Sequence, residues 1–309
     1  MTDTSFFPSK RKGCSECCKR KLRSKDSDKL KVQYYHKAVI CSNINEKVSL
    51  PIDIEMIRPG EGEVGCAMRM LERVFKTHSR FFDAIVGDAI YLEAPFFNFC
   101  RQHGKHVVAV LKENNSALLQ DAKDIFKTIP PKIFRDGKRI IKYWDEEGFE
   151  TSEKMNEPLR IIGTEETYYE TKTVNGKKEK VKITSTWFWA TTISKIEVPT
   201  EKLIKAAHKR WDIENRIFHT LGKYWGLNHF FKHEPTAILN FIITLFIAFV
   251  LAQTFFNRNL KDNNLKKYGL IALARMLYPG LPELKNRNFS KPREKRGHII
   301  PREQSPPKK

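Results

Sequence analysis

The sequence predicts an α/β protein built on a mixed sheet and interrupted by a β-rich insertion, and three observations carry that prediction. Two stretches rich in valine, isoleucine and tyrosine, 34–44 and 48–57, flank the polar Asn45-Glu46 and read as an antiparallel hairpin. From Phe82 to Leu111 the chain runs apolar strand, short helix, apolar strand, which is the pattern of a parallel pair within a mixed sheet. Between about 113 and 198 the texture turns to threonine, tyrosine and valine, with hairpin signals at Asp136-Gly137 and Asn175-Gly176.

The remaining elements follow in order. From Glu63 to Lys76 the apolar residues Val64, Ala67, Met68, Leu71, Val74 and Phe75 fall at helical spacing, so the period changes from two to 3.6. Ala84-Ile85-Val86 is a buried strand by composition, Pro95–Gln102 a short helix and Val107–Leu111 a second strand. Pro199 and Thr200 open a long amphipathic helix, with Thr200 as the expected N-cap and Glu201 in the first turn. Residues 237–256 are apolar enough to span a bilayer, but Asn240, Thr244 and Gln253 interrupt them, and the expectation is a helix buried on nearly every side and no membrane partner. A short helical stretch near 264–277 and a disordered basic tail end the chain. The expected segments are therefore a basic cysteine-containing stretch (1–33), a first core part (34–112), the insertion (113–198), core helices (199–280) and the tail (281–309).

Charge narrows the function. The 309 residues carry 56 Lys+Arg against 36 Asp+Glu, a net charge of +20. That excess points to a polyanionic partner. Lys10–Lys31 holds ten basic residues and three acids, and Lys285 to the end nine and two. Basic runs on both sides of a basic body favour phosphate contact, because each neutralised phosphate releases counterions. No apolar core opens the chain, and six cysteines in a chain of this size do not make an extracellular framework, so a reducing cytoplasm is expected. Cys14 and Cys17 form a C-x-x-C with Cys18 adjacent and His36 downstream; without a second C-x-x-C or a histidine pair, this spacing alone does not define a zinc site.

Two acids stand out. Asp88 directly follows the buried run 84–87, at the carboxyl end of a strand leading into a helix, where catalytic groups of α/β sheets collect; alone, it could simply cap that helix. Glu214 lies between Trp211 and Phe218 on the helix that starts at Thr200, which also carries Leu203, Ala207, Leu221 and Trp225, and so is expected on its buried face. A carboxylate there needs a cation, either a metal ion or Arg210 one turn earlier. A sheet-edge acid and a helix acid brought together are what a Mg²⁺-dependent two-metal phosphoryl-transfer site requires.

These residues sit in the runs YYHKAVIC, LPIDIEMIRPGEGEVGCAMRML, FDAIVGDAIYLEAPFFNFCRQHGKHVVAVLKEN and HKRWDIENRIFHTLGKYWGLNHFF. Together these runs resemble the DDE transposases of bacterial insertion sequences that carry a β-rich insertion, over most of residues 6 to 258. The distinguishing pair is G-D-A-x-Y after a buried strand and, about 120 residues later, R-W-x-I-E-N-x-x-F. The resemblance implies a ribonuclease H-like fold, Mg²⁺-dependent cleavage and strand transfer on double-stranded DNA at element ends and target, a homodimer when active, and a place on the nucleoid. It implies that Asp88 is the second metal-binding acid and Glu214 the third, that Arg210 contacts DNA phosphate, and that Lys223 is the basic residue beyond them. Ala207 stands where many relatives have tyrosine, and Gly222 lengthens the spacing to Lys223. The first acid should end a strand just before Phe6-Phe7, yet Thr2 stands at its place and Asp3 one position away. The resemblance therefore implies a chain without its first catalytic strand, impaired in cleavage, with the edges of the 34–44 strand and the Asp88 strand exposed. Asp53, on the hairpin, is expected on a solvated face.

Overall fold

The computed structural model of the protein describes residues 1–11, 13–24, 27–44, 50–152, 154–174, 177–227 and 233–261, with 267, 269, 271, 272 and 275. The Asn45-Glu46 and Asn175-Gly176 turns, most of 264–277 and the basic tail lie outside them.

The chain is a mixed α/β protein. Strands β1 (Thr2–Ser9), β2 (Cys18–Ser24), β3 (Ser27–Asn43) and β4 (Leu50–Met56) form one sheet in which the long β3 pairs antiparallel with all three others. Helix α1 (Glu63–His78) follows, then β5 (Ala84–Gly87), α2 (Ala94–Gln102), β6 (His106–Val110) and α3 (Ser116–Thr128). Strands β7 (Lys132–Asp136), β8 (Arg139–Phe149), β9 (Leu159–Val174) and β10 (Lys177–Thr191) complete a second, mixed sheet in the order β5-β6-β10-β9-β8-β7. The expected parallel pair is there, with Val86 opposite Val108, and the predicted hairpin pairs Ile40 with Ile54.

Four expectations require correction. The first 33 residues are not a segment apart from the core: β1 and β2 flank β3, with Thr2 opposite Ile40 and Asp3 opposite Val39. β3 consequently has no free edge along 38–40, where it lies between β1 and β4. Among the described residues β5 pairs with β6 alone, and the amino group of Met1 donates to the Val86 carbonyl where the two sheets meet. Second, the insertion opens with α3, whose buried Leu118, Leu119, Ala122 and Phe126 repeat at helical spacing. Its strands extend the core sheet rather than forming a separate module, because β10 docks antiparallel on β6, Trp189 opposite Val110. Third, the helix after Pro199 is not continuous, as described below.

The fourth correction concerns α6 (Pro235–Thr254). Contacts divide the chain into units 1–245 and 246–309 within this helix. In the first unit Ile238 and Ile242 are buried and Ile243 is exposed; in the second Phe246 and Phe249 are buried, and Ile247 and Leu251 are exposed. Only 28% of the apolar window is buried, so the helix is not covered on nearly every side. A near-uniform apolar composition does not distinguish a covered face from an open one. By length and composition it could also cross a membrane.

β6 shows how the second sheet is held. Its side chains alternate: Val107 and Ala109 join one apolar cluster with α1, α2 and α3, while Val108 and Val110 join another with Leu203, Ile204 and Ala207 of the helix beginning at Thr200. Burial on both faces explains why HVVAV is a continuous apolar run.

The G-D-A-x-Y motif also has a packing cause. A Cβ on Gly87 would lie 2.8 Å from Cδ2 of Tyr91, which is fully buried and donates its hydroxyl to Glu63 Oε1 at 2.6 Å. The ring cannot swing aside without breaking that bond. Gly87→Ala is therefore expected to cost about 1–3 kcal/mol in urea denaturation; an unchanged midpoint would contradict the packing argument.

Candidate active site

Asp88 follows β5 with extended backbone, at the edge where the parallel strands β5 and β6 both end. Its Oδ1 accepts the Ala89 N–H at 2.7 Å, capping the short 3₁₀ turn Ala89–Tyr91. Lys112, just beyond β6, places its Nζ 3.6 Å from the same oxygen. Burial acts to raise the Asp88 pKa, but the Ala89 N–H and the charges of Arg210 and Lys112 outweigh it and hold the carboxyl below its ordinary value. The side chain remains 37% exposed. Helix capping, the simpler role considered for Asp88, is thus real but occupies only part of its carboxylate.

The chain between Pro199 and Trp225 differs from the expected single helix. α4 (Thr200–His208) stops at Lys209, a wider π-helical segment follows over Ile213–Phe218, and α5 (His219–Tyr224) completes the run. Thr200 is the first helical residue rather than the N-cap; its hydroxyl donates to Asp145 Oδ2 and accepts from Arg160. The π segment changes which side faces inward. Ile213, Ile217 and Leu221 are the buried residues, while Trp211 and Phe218 are half-buried. Glu214 is not in the middle of the buried face: its side chain is 42% exposed and accepts from Arg210 Nη1 at 2.8 Å. Three-residue and four-residue arithmetic assumes an unbroken α-helix, and the π segment violates that assumption.

Arg210 is the hinge of the arrangement. It is 5% exposed, lies against the Trp211 ring at 5.6 Å, bonds Glu214, and its field lowers the Asp88 pKa. A buried guanidinium thus bonds one of the predicted acids directly and acts on the other through its charge. Because the Asp88 pKa is depressed in the fold, its favourable interactions are complete at neutral pH and fade as pH falls through the depressed value. Arg210→Ala is expected to raise the Asp88 titration midpoint, followed by carboxyl NMR; a midpoint that stays put would show that Arg210 does not act on Asp88.

Lys223 lies on α5, exposed, with its ammonium over the Tyr224 ring at 5.2 Å. Asp53 lies on the hairpin in a solvent-exposed ion pair with Arg73 at 3.1 Å. Sequence reasoning did not pick out Lys112 or Glu63. The signal for Lys112 was available, since a residue just past β6 must lie beside one just past β5 when the strands are parallel. Glu63 reaches the region through its bond with Tyr91, which no spacing rule shows.

A cleft of 790 Å³ opens beside Asp88, lined by Ala89, Lys112, Lys123 and the aromatic pair Trp187 and Phe188. A second cleft, of 560 Å³, carries Lys202, Lys205 and Lys209 of α4 and its C-terminal turn. Asp88 and Glu214 are partly open carboxylates, 37% and 42% exposed, and offer hard oxygen ligands of the type that divalent cations such as Mg²⁺ take.

A sheet-edge aspartate and a glutamate of the π-helical segment thus stand in a chain that also carries two basic clefts. The chain matches the family of the transposase DDE domain over residues 12–251, and it belongs to that family. No curated protein matches the sequence.

Proposed function

We propose that the protein is a DDE-type transposase that cleaves DNA strands and joins them in a Mg²⁺-dependent reaction, with Asp88 and Glu214 as metal-binding acids. The observation that supports this most strongly is the placement of Asp88 at the carboxyl edge of the parallel strands β5 and β6, beside a basic cleft, with its carboxyl held ionised by the Ala89 N–H and the charges of Arg210 and Lys112, while Glu214 bonds that same Arg210. When bound, paired divalent ions stabilise the attacking and leaving oxygens of an in-line displacement. The residues of this chain do the rest. Asp88 stays ionised at neutral pH and keeps its Oδ2 free of the Ala89 bond. Arg210 orients Glu214 and offsets the negative charge gathered as a phosphodiester approaches. Lys112 and Lys123, at the rim of the cleft, bring further positive charge to that phosphate, and Lys223 of α5 offers another exposed ammonium. Element ends and target would both be double-stranded DNA, handled by a homodimer on the nucleoid in the cytoplasm.

A second reading, a DNA-binding protein without nuclease chemistry, draws on the same ion pairs: Asp88 and Glu214 each already have a basic partner. Nicking of supercoiled plasmid with and without Mg²⁺ separates the two, since only the first reading gives metal-dependent nicked product.

Both readings require phosphate contact. Lys19, Lys21 and Arg23 alternate along β2 with exposed side chains. DNA affinity should fall steeply with salt, and Lys21→Gln with Arg23→Gln should reduce the slope of log K against log salt by about 1 per charge removed. Salt-independent binding would exclude this surface.

A further inference from the structure

Outside the acidic site, the described residues contain one cluster in which sulfur and nitrogen donors meet at metal-ligand distances. Cys14 and Cys17, in the turn between β1 and β2, lie with Sγ atoms 3.5 Å apart. His36 of β3 brings Nε2 to 3.4 Å from the Cys14 sulfur and 3.5 Å from the Cys17 sulfur. His233, two residues before α6, places Nδ1 3.4 Å from the Cys17 sulfur. One ligand atom from each of the four lies within 4.8 Å of every other. We propose that Cys14, Cys17, His36 and His233 bind a structural Zn²⁺ ion.

The geometry is specific. With Zn–S near 2.3 Å and Zn–N near 2.0–2.1 Å, the edges of a tetrahedral Cys₂His₂ site are about 3.3–3.8 Å. The four contacts between these donors fall inside that interval. A Cys₂His₂ donor set selects zinc over Mg²⁺, which takes oxygen ligands. Cys17 and His36 are buried, which closes the site from solvent on that side. The Cys14 backbone N–H donates to the Cys17 sulfur at 3.2 Å, the kind of outer contact that holds a ligating sulfur in place. Hydrogen bonding among the four could produce one or two such distances, but it gives no reason for two thiols and two imidazoles to crowd around one point.

The position gives the ion a task. Cys14 and Cys17 belong to the β1–β2 connection, His36 to the strand that pairs with both, and His233 to the connection between α5 and α6. A bound ion would tie the N-terminal sheet to the start of α6, fixing β1 and the chain beyond Glu214 in one frame. Cys18, adjacent in sequence, is not in the cluster.

The test uses the full chain purified under reducing conditions. Metal analysis by mass spectrometry is expected to find zinc at one equivalent per chain, retained through dialysis without chelator. After exchange, Co²⁺ should give thiolate charge-transfer and tetrahedral d–d absorption. Cys14→Ser should lower metal affinity at least tenfold and weaken the charge-transfer band, while Cys18→Ser, changing the neighbouring thiol, should leave both as in the parent. His233→Ala offers a second variant should Cys14→Ser fold poorly. Wild-type protein that gives no tetrahedral Co²⁺ spectrum and holds substoichiometric zinc after incubation with the metal would overturn the proposal. A Cys14–Cys17 disulfide found in the freshly reduced and re-equilibrated protein would overturn it as well. Neither measurement depends on DNA cleavage, so the zinc site can fail or stand independently of the acidic site.

Discussion

Asp88→Asn is expected to lower Mg²⁺-dependent plasmid nicking by on the order of 10²-fold or more, and Glu214→Gln by a similar factor. Asparagine and glutamine preserve volume and hydrogen-bonding shape but remove the negative charge that a divalent ion requires. Neither change should unfold the protein: the amide oxygen of the new asparagine can still cap the Ala89–Tyr91 turn, and residue 214 is 42% exposed. Nonspecific DNA affinity should hold steady or rise slightly, because a negative charge has left a basic surface. A loss of nicking together with retained binding identifies the carboxylates with the chemistry. Equal nicking by the parent and both variants would remove them from it. Asp3→Asn belongs in the same series, since β1 sets Asp3 opposite Val39; a loss equal to that of Asp88→Asn would make Asp3 the first acid and show that the first catalytic strand is β1 itself.

The largest effect on stability is expected away from the acids, at Arg160. This residue is 2% exposed; its guanidinium forks onto Asp145 at 2.9 and 2.8 Å and donates to the carbonyls of Ile193, Ser194 and Val198. Asp145 itself is 8% exposed and also accepts the Thr200 hydroxyl. The cluster fastens the loop after β10 to the first turn of α4, the helix that leads to Arg210 and Glu214. Arg160→Met would leave a buried carboxylate without its cation and three carbonyls without their donor. Breaking a buried pair in this way costs about 3–5 kcal/mol, or on the order of 10 °C in Tm for a unit of this size. Urea and thermal melts followed by circular dichroism measure it; a loss below about 1 kcal/mol would show that the loop finds other donors.

Much of this was legible in the sequence, and the rest was not for identifiable physical reasons. Helix α1 and strands β5 and β6 were readable because burial on a fixed period leaves its mark in residue order, and Asp88 followed from its place after an apolar run. Glu214 was found as a residue, but its exposure was not: the π segment adds a residue to the turn and moves Ile213 and Ile217 inward instead. The N-terminal strands escaped because β2 is mostly basic and its partner is distant in composition, so pairing with β3 rather than intrinsic preference fixes them. His233 was invisible as a zinc candidate, since it lies 216 positions from Cys17 and only the folded chain brings them together. The open face of α6 was likewise unreadable, because a stretch that is apolar all round carries no amphipathic phase.

The central claim is that Asp88 and Glu214 hold the same divalent ions, and paramagnetic relaxation with Mn²⁺ tests it most directly. Mn²⁺ titrated into isotope-labelled protein should broaden the amides of Gly87–Ala89 and of Ile213–Asn215 with one shared midpoint, competed away by Mg²⁺. Asp88→Asn should abolish the broadening in both segments at once. Broadening of the two segments at clearly different Mn²⁺ concentrations, or broadening near Glu214 that survives Asp88→Asn unchanged, would contradict a shared site.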